Sequence, residues 1–233
     1  MANWEFFLQD TGGGETYLHW LMRAWGWTLS LAVLSLIVAL VVGSLFGILR
    51  TTSSRWLVFI GDAWTELFRD IPLLVQIFLW YHVIPSIFLG LRAVPSFVLV
   101  VFAIGFFTSA RISEQVRAGI QSLPKGQRYA GLAMGLTVPQ TYRYVLLPTA
   151  YRIIIPPLTS EAMNIVKNTS VAFAVSIGEL ISFTLQAQEE TSKGIQIYLV
   201  VTAIYFVSSF AVNRIFAFVE KRVQVPGMIG GKP

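Results

Sequence analysis

The sequence lacks cysteine and has few charged residues, and each of these features excludes a class of protein. Without cysteine, neither a disulfide framework nor a thiolate metal site is possible. Charged residues make up only 12% of the 233 residues, about half the share in a soluble domain, whereas 55% are hydrophobic. His19 and His82 are isolated in the sequence, so a metal centre is not expected.

Motifs for catalysis are also missing. The sequence has no G-x-x-x-x-G-K-[ST] segment, and no lysine follows Gly12-Gly13-Gly14, so the chain is not expected to hydrolyse ATP itself. No Ser-His-Asp set or carboxylate pair indicates hydrolytic chemistry. The net charge of +5 does not require nucleic acid as a partner, because cytoplasmic loops of membrane proteins collect Lys and Arg.

Long apolar blocks predict an all-α integral membrane protein, since about 20 apolar residues cross a bilayer as a helix. We predict five spans, at about 25–49, 67–88, 96–119, 146–174 and 195–219. Residues 56–66 are expected to be helical and partly interfacial. Residues 177–190 are expected to form a short helix at the outer rim or a re-entrant segment. Prolines should begin or kink the fourth span: Pro148, Pro156 and Pro157.

The distribution of charge predicts the orientation of these spans. Basic residues cluster in the loops after spans one and three and beyond span five: Arg50, Arg55, Lys125, Arg128, Arg143, Lys221, Arg222 and Lys232. The opposite side carries Arg92 and Lys193 together with several acidic residues. The positive-inside rule therefore predicts an external N-terminus and a cytoplasmic C-terminus, in agreement with an odd number of spans.

The loop between spans three and four contains the segment Gly126–Gly135, which the pattern predicts to be a short helix. Ala130, Ala133 and Met134 share one face of that helix at i, i+3, i+4 spacing. Gly135 can adopt the left-handed conformation that ends a helix, and Thr137 can cap a new helix that starts at Pro139. Two interpretations remain open: the helix is bound by another protein, or it is an ordinary interfacial helix that connects two spans.

The fourth span carries polar and ionisable residues that a bilayer-spanning helix normally avoids. Such groups usually face a cavity or a partner, and an amino acid zwitterion needs both an acidic and a basic contact. The candidate substrate-binding residues are Glu161, Asn164, Lys167, Ser170 and, in span two, Gln76. A structural salt bridge or an interhelical clamp is the alternative, and Lys167 could instead reach a partner subunit.

Two other local patterns favour structural roles. Glu66, Arg69 and Asp70 precede Pro72 at the start of span two, where a local ion cluster is favoured over a pathway lining. Gly43 and Gly47 form a small-xxx-small pair in span one, which predicts close helix packing.

Five stretches of the sequence form a combined pattern: Phe68-Arg69-Asp70-Ile71-Pro72-Leu73-Leu74-Val75-Gln76, Ser122-Leu123-Pro124-Lys125-Gly126-Gln127, Leu147-Pro148-Thr149-Ala150, Pro156-Pro157-Leu158 and Lys167-Asn168-Thr169-Ser170. Together they resemble the permeases of ABC importers, in particular the polar amino acid uptake family of the histidine, glutamate and arginine type. The resemblance extends from about residue 26 to 221 and is closest to glutamate/aspartate permeases.

The resemblance implies the type I importer permease fold, with one transmembrane domain (1–233, core about 26–221) in the bacterial inner membrane. It also makes the loop helix a coupling helix, similar to the EAA loop of these permeases, that docks on an ATPase. The implied ATPase-coupling residues are Gly126, Gln127, Tyr129, Ala130, Gly131, Ala133, Gly135 and Pro148. Tyr129-Ala130-Gly131 stands where the family usually has Glu-Ala-Ala, so one polar contact of the family is missing.

The implied function is that of the permease subunit of an ATP-driven importer for polar amino acids. The implied partners are a dimer of ATP-binding cassette ATPases, a second permease that is identical or related, an external amino acid binding protein and membrane lipid. This chain would carry no cofactor, because ATP and magnesium are held by the ATPase. The alternative is an ion-gradient-driven secondary transporter, which the absence of a visible inverted repeat disfavours.

Overall fold

The computed structural model describes residues 4–223, which are almost entirely helical. The α-helices in chain order are α1 Tyr17–Leu49, α2 Arg55–Asp70, α3 Leu73–Phe78, α4 Ile84–Ile87, α5 Ser96–Gln121, α6 Lys125–Ala133, α7 Val138–Thr141, α8 Leu147–Asn168, α9 Leu180–Thr191 and α10 Gly194–Val223. Short 3-10 helices occupy Glu5–Leu8, Leu89–Ala93 and Thr169–Val175, and π-helical turns occupy Leu79–Val83 and Tyr142–Leu146. Of the basic residues used for the predicted orientation, Lys232 lies outside the described residues.

The helices agree with the five predicted spans. Among residues 4–223, α1, α5 and α10 are each long and apolar enough to cross a membrane. Two interrupted pairs raise the number to five when each pair counts as one span: α2 with Leu73–Ile87, and Val138–Val175 with α9. The predicted short helix at 177–190 is confirmed as α9. The first and last spans are longer than predicted, because α1 begins at Tyr17 and α10 continues to Val223.

The predicted start of span two at residue 67 is wrong. The segment from residue 67 to Asp70 belongs to α2, and α3 begins only at Leu73. The rest of α2 confirms the predicted helix at 56–66. Pro72 causes this break, because it lacks an N–H and its ring disfavours helical geometry at Ile71. The side-chain Nε2 of Gln76 donates a hydrogen bond to the Ile71 carbonyl at 2.9 Å. The amide therefore satisfies an acceptor that the break leaves without a helical partner.

The prolines of the fourth span have unequal effects. Pro156 and Pro157 lie inside α8, so neither begins the helix. Pro148 does mark an irregularity, because the π-helical turn Tyr142–Leu146 directly precedes α8. A proline ring clashes with the carbonyl four residues earlier in a regular helix, and Tyr144 lies within the wider π turn. The prediction of an irregular start at Pro148 is thus confirmed.

The described chain forms two compact units. The first consists of residues 4–37, 71–105 and 163–211, and its core joins the N-terminal segment to α9 and α10. Phe6 and Phe183 are fully buried there, and the ring of Trp20 meets the edge of Phe183 at 5.0 Å. Aromatic area of this kind supplies most of the packing energy in a core.

The second unit consists of residues 38–70, 106–162 and 212–223. Its aromatic centre is Trp64, which stacks on Phe46 at a centroid distance of 4.3 Å and meets the edge of Phe106 at 5.0 Å. The indole Nε1 of Trp64 donates a hydrogen bond to the Ser109 hydroxyl at 3.0 Å. These contacts hold α1, α2 and α5 together.

The small-xxx-small pair in α1 packs as predicted. A Cβ added at Gly43 would lie 2.7 Å from Cβ of Ile112, and one added at Gly47 would lie 2.7 Å from Cβ of Val116. Real Cβ atoms do not come so close, so α1 and α5 can only approach in this way because both positions lack a side chain.

Glu179 is a buried carboxylate that the sequence analysis did not single out. It precedes α9 as the N-cap residue and is fully buried. Its carboxylate accepts hydrogen bonds from the backbone N–H of Ile181 at 2.9 Å and of Ser182 at 2.8 Å. The hydroxyl of Tyr205 on α10 donates a third bond at 3.0 Å. One side chain thus caps α9 and ties it to α10.

We expect Glu179→Ala to lower the stability of the first unit by about 3 kcal/mol, because it removes the helix cap and leaves buried donors without an acceptor. Tyr205→Phe, which removes only one bond to the carboxylate, should cost about 1.5 kcal/mol. Thermal unfolding of the full-length protein in detergent measures both changes. Glu189→Ala, at an exposed position of the same helix, is the matched control and should leave the midpoint unchanged. Equal midpoints for Glu179→Ala and the control would contradict the assignment.

Candidate functional site

Helix α6 ends as the local sequence predicts. Gly135 adopts a left-handed conformation with φ +85°, and its N–H donates to the Leu132 carbonyl at 3.0 Å. The N–H of Leu136 donates to the Gly131 carbonyl at 3.1 Å, which completes a Schellman motif. Thr137 then caps α7, since its hydroxyl accepts the Gln140 N–H while the Gln140 side chain accepts the Thr137 N–H. Residues 125–141 are therefore two short helices joined at a fixed angle rather than a loose linker.

The exposed side of α6 combines small residues with large apolar ones. Ala130 and Ala133 are exposed, Tyr129 is 66% exposed and Met134 is 84% exposed. Large exposed apolar side chains on a polar loop are typical of a surface that a partner protein or a membrane interface covers. Tyr129 adds a large aromatic side chain to this surface.

The other predicted coupling residues fall in different places. Gly131 is buried, and a Cβ there would come within 2.9 Å of Thr141, so this glycine lets α6 pack on α7. Gly126 is exposed with open space around it, and Pro148 is exposed in the first turn of α8. The Gln127 side chain turns inward, where its Oε1 has no hydrogen-bond partner among residues 4–223.

Within the second unit, Glu161 faces α5. Its Oε2 lies 3.8 Å from Nη1 of Arg111, and its Oε1 accepts a 3.4 Å hydrogen bond from Nε2 of Gln115. The Glu161 side chain is 11% exposed, whereas the Arg111 side chain is 44% exposed and lies over the ring of Phe107. Arg111 makes no hydrogen bond within the described part of the chain, so its guanidinium retains donors for a carboxylate.

The remaining candidate substrate residues separate into two groups. Lys167 and Ser160 are exposed on α8 and Asn164 is half-buried, at i, i+4, i+7 spacing, so the helix has a polar face. Ser170 and Gln76 instead donate to backbone carbonyls, Ser170 to Lys167 at 2.6 Å and Gln76 to Ile71. These two donors are engaged in the backbone of their own segments.

The ion cluster near Pro72 includes a carboxylate from another helix that the sequence did not predict. Arg69 contacts Asp70 at 3.2 Å as expected, and its Nη1 lies closer, at 2.5 Å, to Glu114 of α5. The Asp70 side chain is 68% exposed and the Glu114 side chain 42% exposed, so each pair contributes little stability.

A family model described as "binding-protein-dependent transport system inner membrane component" matches residues 36–225. The chain belongs to this family. The glutamate/aspartate import permease protein GltJ of Escherichia coli K12 is 42% identical over 99% of this chain and 98% of its own length. The glutamate/aspartate import permease protein GltK of E. coli O6:H1 is 28% identical over 84% of this chain and 89% of its own length. A crystal structure of an amino acid ABC transporter with histidines matches at a TM-score of 0.76 and 26% identity, covering 88% of this chain and 95% of that one.

This binding-protein-dependent permease is therefore an inner-membrane, multi-pass component of an ABC importer. ATP is bound and hydrolysed by a partner ATPase, and this permease needs no cofactor of its own. Membership of the family sets aside the ion-gradient-driven alternative. The prediction of an ABC importer permease fold is confirmed, whereas the roles of individual residues in coupling and substrate binding stay predictions.

Proposed function

We propose that this permease imports acidic amino acids, glutamate and aspartate, and that Arg111 and Glu161 contact the substrate. The observation that carries the proposal is their arrangement, in which a half-exposed guanidinium lies 3.8 Å from a nearly buried carboxylate. The names of GltJ and GltK support the same substrate class.

The two charges match an amino acid zwitterion. A substrate carboxylate would bind the Arg111 guanidinium through charge-assisted hydrogen bonds, and the ammonium would bind Glu161. Asn164 and Lys167 belong to the first unit and remain candidate substrate contacts, Lys167 as a cation for a substrate carboxylate and Asn164 as a neutral donor and acceptor. Gln76 and Ser170 support the backbone of the neighbouring segments, through their bonds to Ile71 and Lys167.

Residues 125–141, which form α6 and α7 and which we call the coupling segment, would receive the force that drives transport. Tyr129, Ala130, Ala133 and Met134 would lie in a cleft of the ATPase, and Gly131 and Gly135 would set the shape of α6. ATP-driven closure of the ATPases would then shift α6 and change which side of the membrane the substrate site faces. The basic residues around α6 favour a cytoplasmic location for it, with the N-terminus outside and the C-terminus inside.

A second permease would complete the pathway, and a related chain rather than a second copy is the better candidate. GltJ and GltK of E. coli are two different permeases named for the same substrates, and this chain is similar to both. An external binding protein would deliver the amino acid, and the chain would act as one transmembrane domain (1–233).

The test is substrate-stimulated ATP hydrolysis by the importer, reconstituted in vesicles with its ATPase, second permease and binding protein. We expect glutamate and aspartate to raise the hydrolysis rate, and arginine, histidine and glutamine to leave it unchanged. Uptake should persist in the presence of an uncoupler as long as ATP is supplied. Stimulation by basic or neutral amino acids alone would overturn the proposed substrate class.

A further inference from the structure

A basic cavity of about 300 Å³ lies beside the first turn of α6, within the second unit. Its walls come from the end of α1, the end of α5 and the segment that leads into α6. Three of the lining residues are cationic, Arg50, Lys125 and Arg128, and no carboxylate lines the cavity. The hydroxyl of Tyr142, which donates to the Thr51 carbonyl at 2.8 Å, closes one side.

The positive charge of this cavity is only partly neutralised by its surroundings. Arg50 binds Asp62 at 2.6 Å, but Arg117 also approaches the same Asp62 oxygen at 3.6 Å, so one carboxylate serves two cations. Arg128 donates a hydrogen bond to the Ser53 hydroxyl at 3.0 Å. Neither Lys125 nor Arg128 forms an ion pair with a carboxylate of residues 4–223. An anion is the ligand that such a site would attract most strongly.

A second cavity of about 290 Å³ adjoins the first, because Thr52 and Tyr142 line both. Its walls are mostly apolar, formed by Ile48, Val138, Pro139 and Leu147, with Arg143 as the one charged residue among those that line it. A basic cavity beside a mostly apolar one has the polarity of an amphiphile whose head is anionic and whose tail is a hydrocarbon.

We propose that these two cavities bind one anionic phospholipid, with its phosphate against Lys125 and Arg128 and an acyl chain beside Ile48 and Leu147. Phosphate oxygens accept charge-assisted hydrogen bonds from ammonium and guanidinium groups, and basic pockets on the cytoplasmic side of membrane proteins bind lipid head groups in this way. The bound lipid would connect the end of α1 to the first turn of α6. It would therefore hold the coupling helix in place, a role separate from substrate transport.

Lipid binding to the full-length permease can be measured by native mass spectrometry. We expect phosphatidylglycerol to bind at least about tenfold more tightly than phosphatidylcholine, whose own cation neutralises its phosphate. The double variant Lys125→Gln/Arg128→Gln should weaken phosphatidylglycerol binding roughly 30-fold, since each basic residue near an anionic lipid contributes about a fivefold change in affinity. The matched control Lys221→Gln/Arg222→Gln removes the same charge outside the cavity and should leave the affinity unchanged.

A third variant distinguishes a lipid from a free phosphate compound. Ile48→Trp fills the apolar cavity and should weaken phosphatidylglycerol binding while leaving the binding of inorganic phosphate as it is. If inorganic phosphate binds as tightly as the lipid and Ile48→Trp has no effect, the site takes free phosphate compounds and the lipid proposal fails. An equal loss in the control double variant would also overturn it, because the attraction would then be non-specific. None of these measurements requires transport, so their outcome is independent of the proposed substrate.

Discussion

Replacing Gly135 by valine should lower ATP-driven uptake roughly 100-fold. A β-branched residue at a φ of +85° costs about 1–2 kcal/mol, and losing the two Schellman hydrogen bonds costs about 1 kcal/mol each. Since no atom lies within 4 Å of a Cβ at this position, the loss comes from the backbone conformation and not from a steric clash. The conformation of the coupling segment that binds the ATPase would then be rarely populated, and transport would fall in proportion.

Asparagine at the same position is the matched control, because its side chain is similar in size but tolerates the left-handed region. Gly135→Asn should retain most of the uptake, and copurification with the ATPase should follow the same order as uptake. A third variant, Gly90→Val, places valine at another glycine with open surroundings but without a positive φ, and should have no effect. Equal uptake by Gly135→Asn and Gly135→Val would show that the conformation at this residue is not required.

Replacing Arg111 by glutamine should lower the uptake of glutamate roughly 100-fold, since an unpaired carboxylate in a closed site costs about 2–5 kcal/mol. The half-maximal substrate concentration should rise more than the maximal rate falls, if the guanidinium binds the substrate in its ground state. Glu161→Gln should weaken transport similarly, through the substrate ammonium.

Thermal stability separates this interpretation from a structural ion pair. An Arg111–Glu161 contact of 3.8 Å with a half-exposed arginine contributes little to stability, so Arg111→Gln should unfold within a degree or two of the unmodified protein. Under a purely structural role, both single variants would be destabilised, and the exchange Arg111→Glu/Glu161→Arg would restore stability and uptake together. Normal uptake by Arg111→Gln at normal stability would remove this residue from the site.

The coupling segment was predictable because the chemistry that shapes it is local. Gly135 ends one helix and Thr137 caps the next through bonds that reach no further than five residues along the chain. The small-xxx-small pair was predictable for the same reason, since the spacing within α1 already places Gly43 and Gly47 on one face. The inward position of Gly131 was not, because it depends on Thr141, which belongs to another helix.

The polar site was only half predictable. Glu161 was identified by its position in an apolar helix, but its partners on α5, Arg111 and Gln115, are 46 or more residues away and only the fold brings them together. Arg111 was not singled out in the sequence analysis. Glu179 gave no signal at all, since a single carboxylate before a short polar helix is ordinary until Tyr205 is placed beside it.

The contact of Gly43 and Gly47 with Ile112 and Val116 also bears on how the protein moves. Because side chains of α5 pack directly against the α1 backbone at Gly43 and Gly47, the two helices cannot slide past each other without disrupting this packing. We therefore expect α1 and α5 to move together near these two glycines. The sequence has no cysteine, so a pair of spin labels on introduced cysteines at exposed positions of α1 and α5 would report without background. Their separation should remain constant throughout the nucleotide cycle, while labels placed on α6 change theirs.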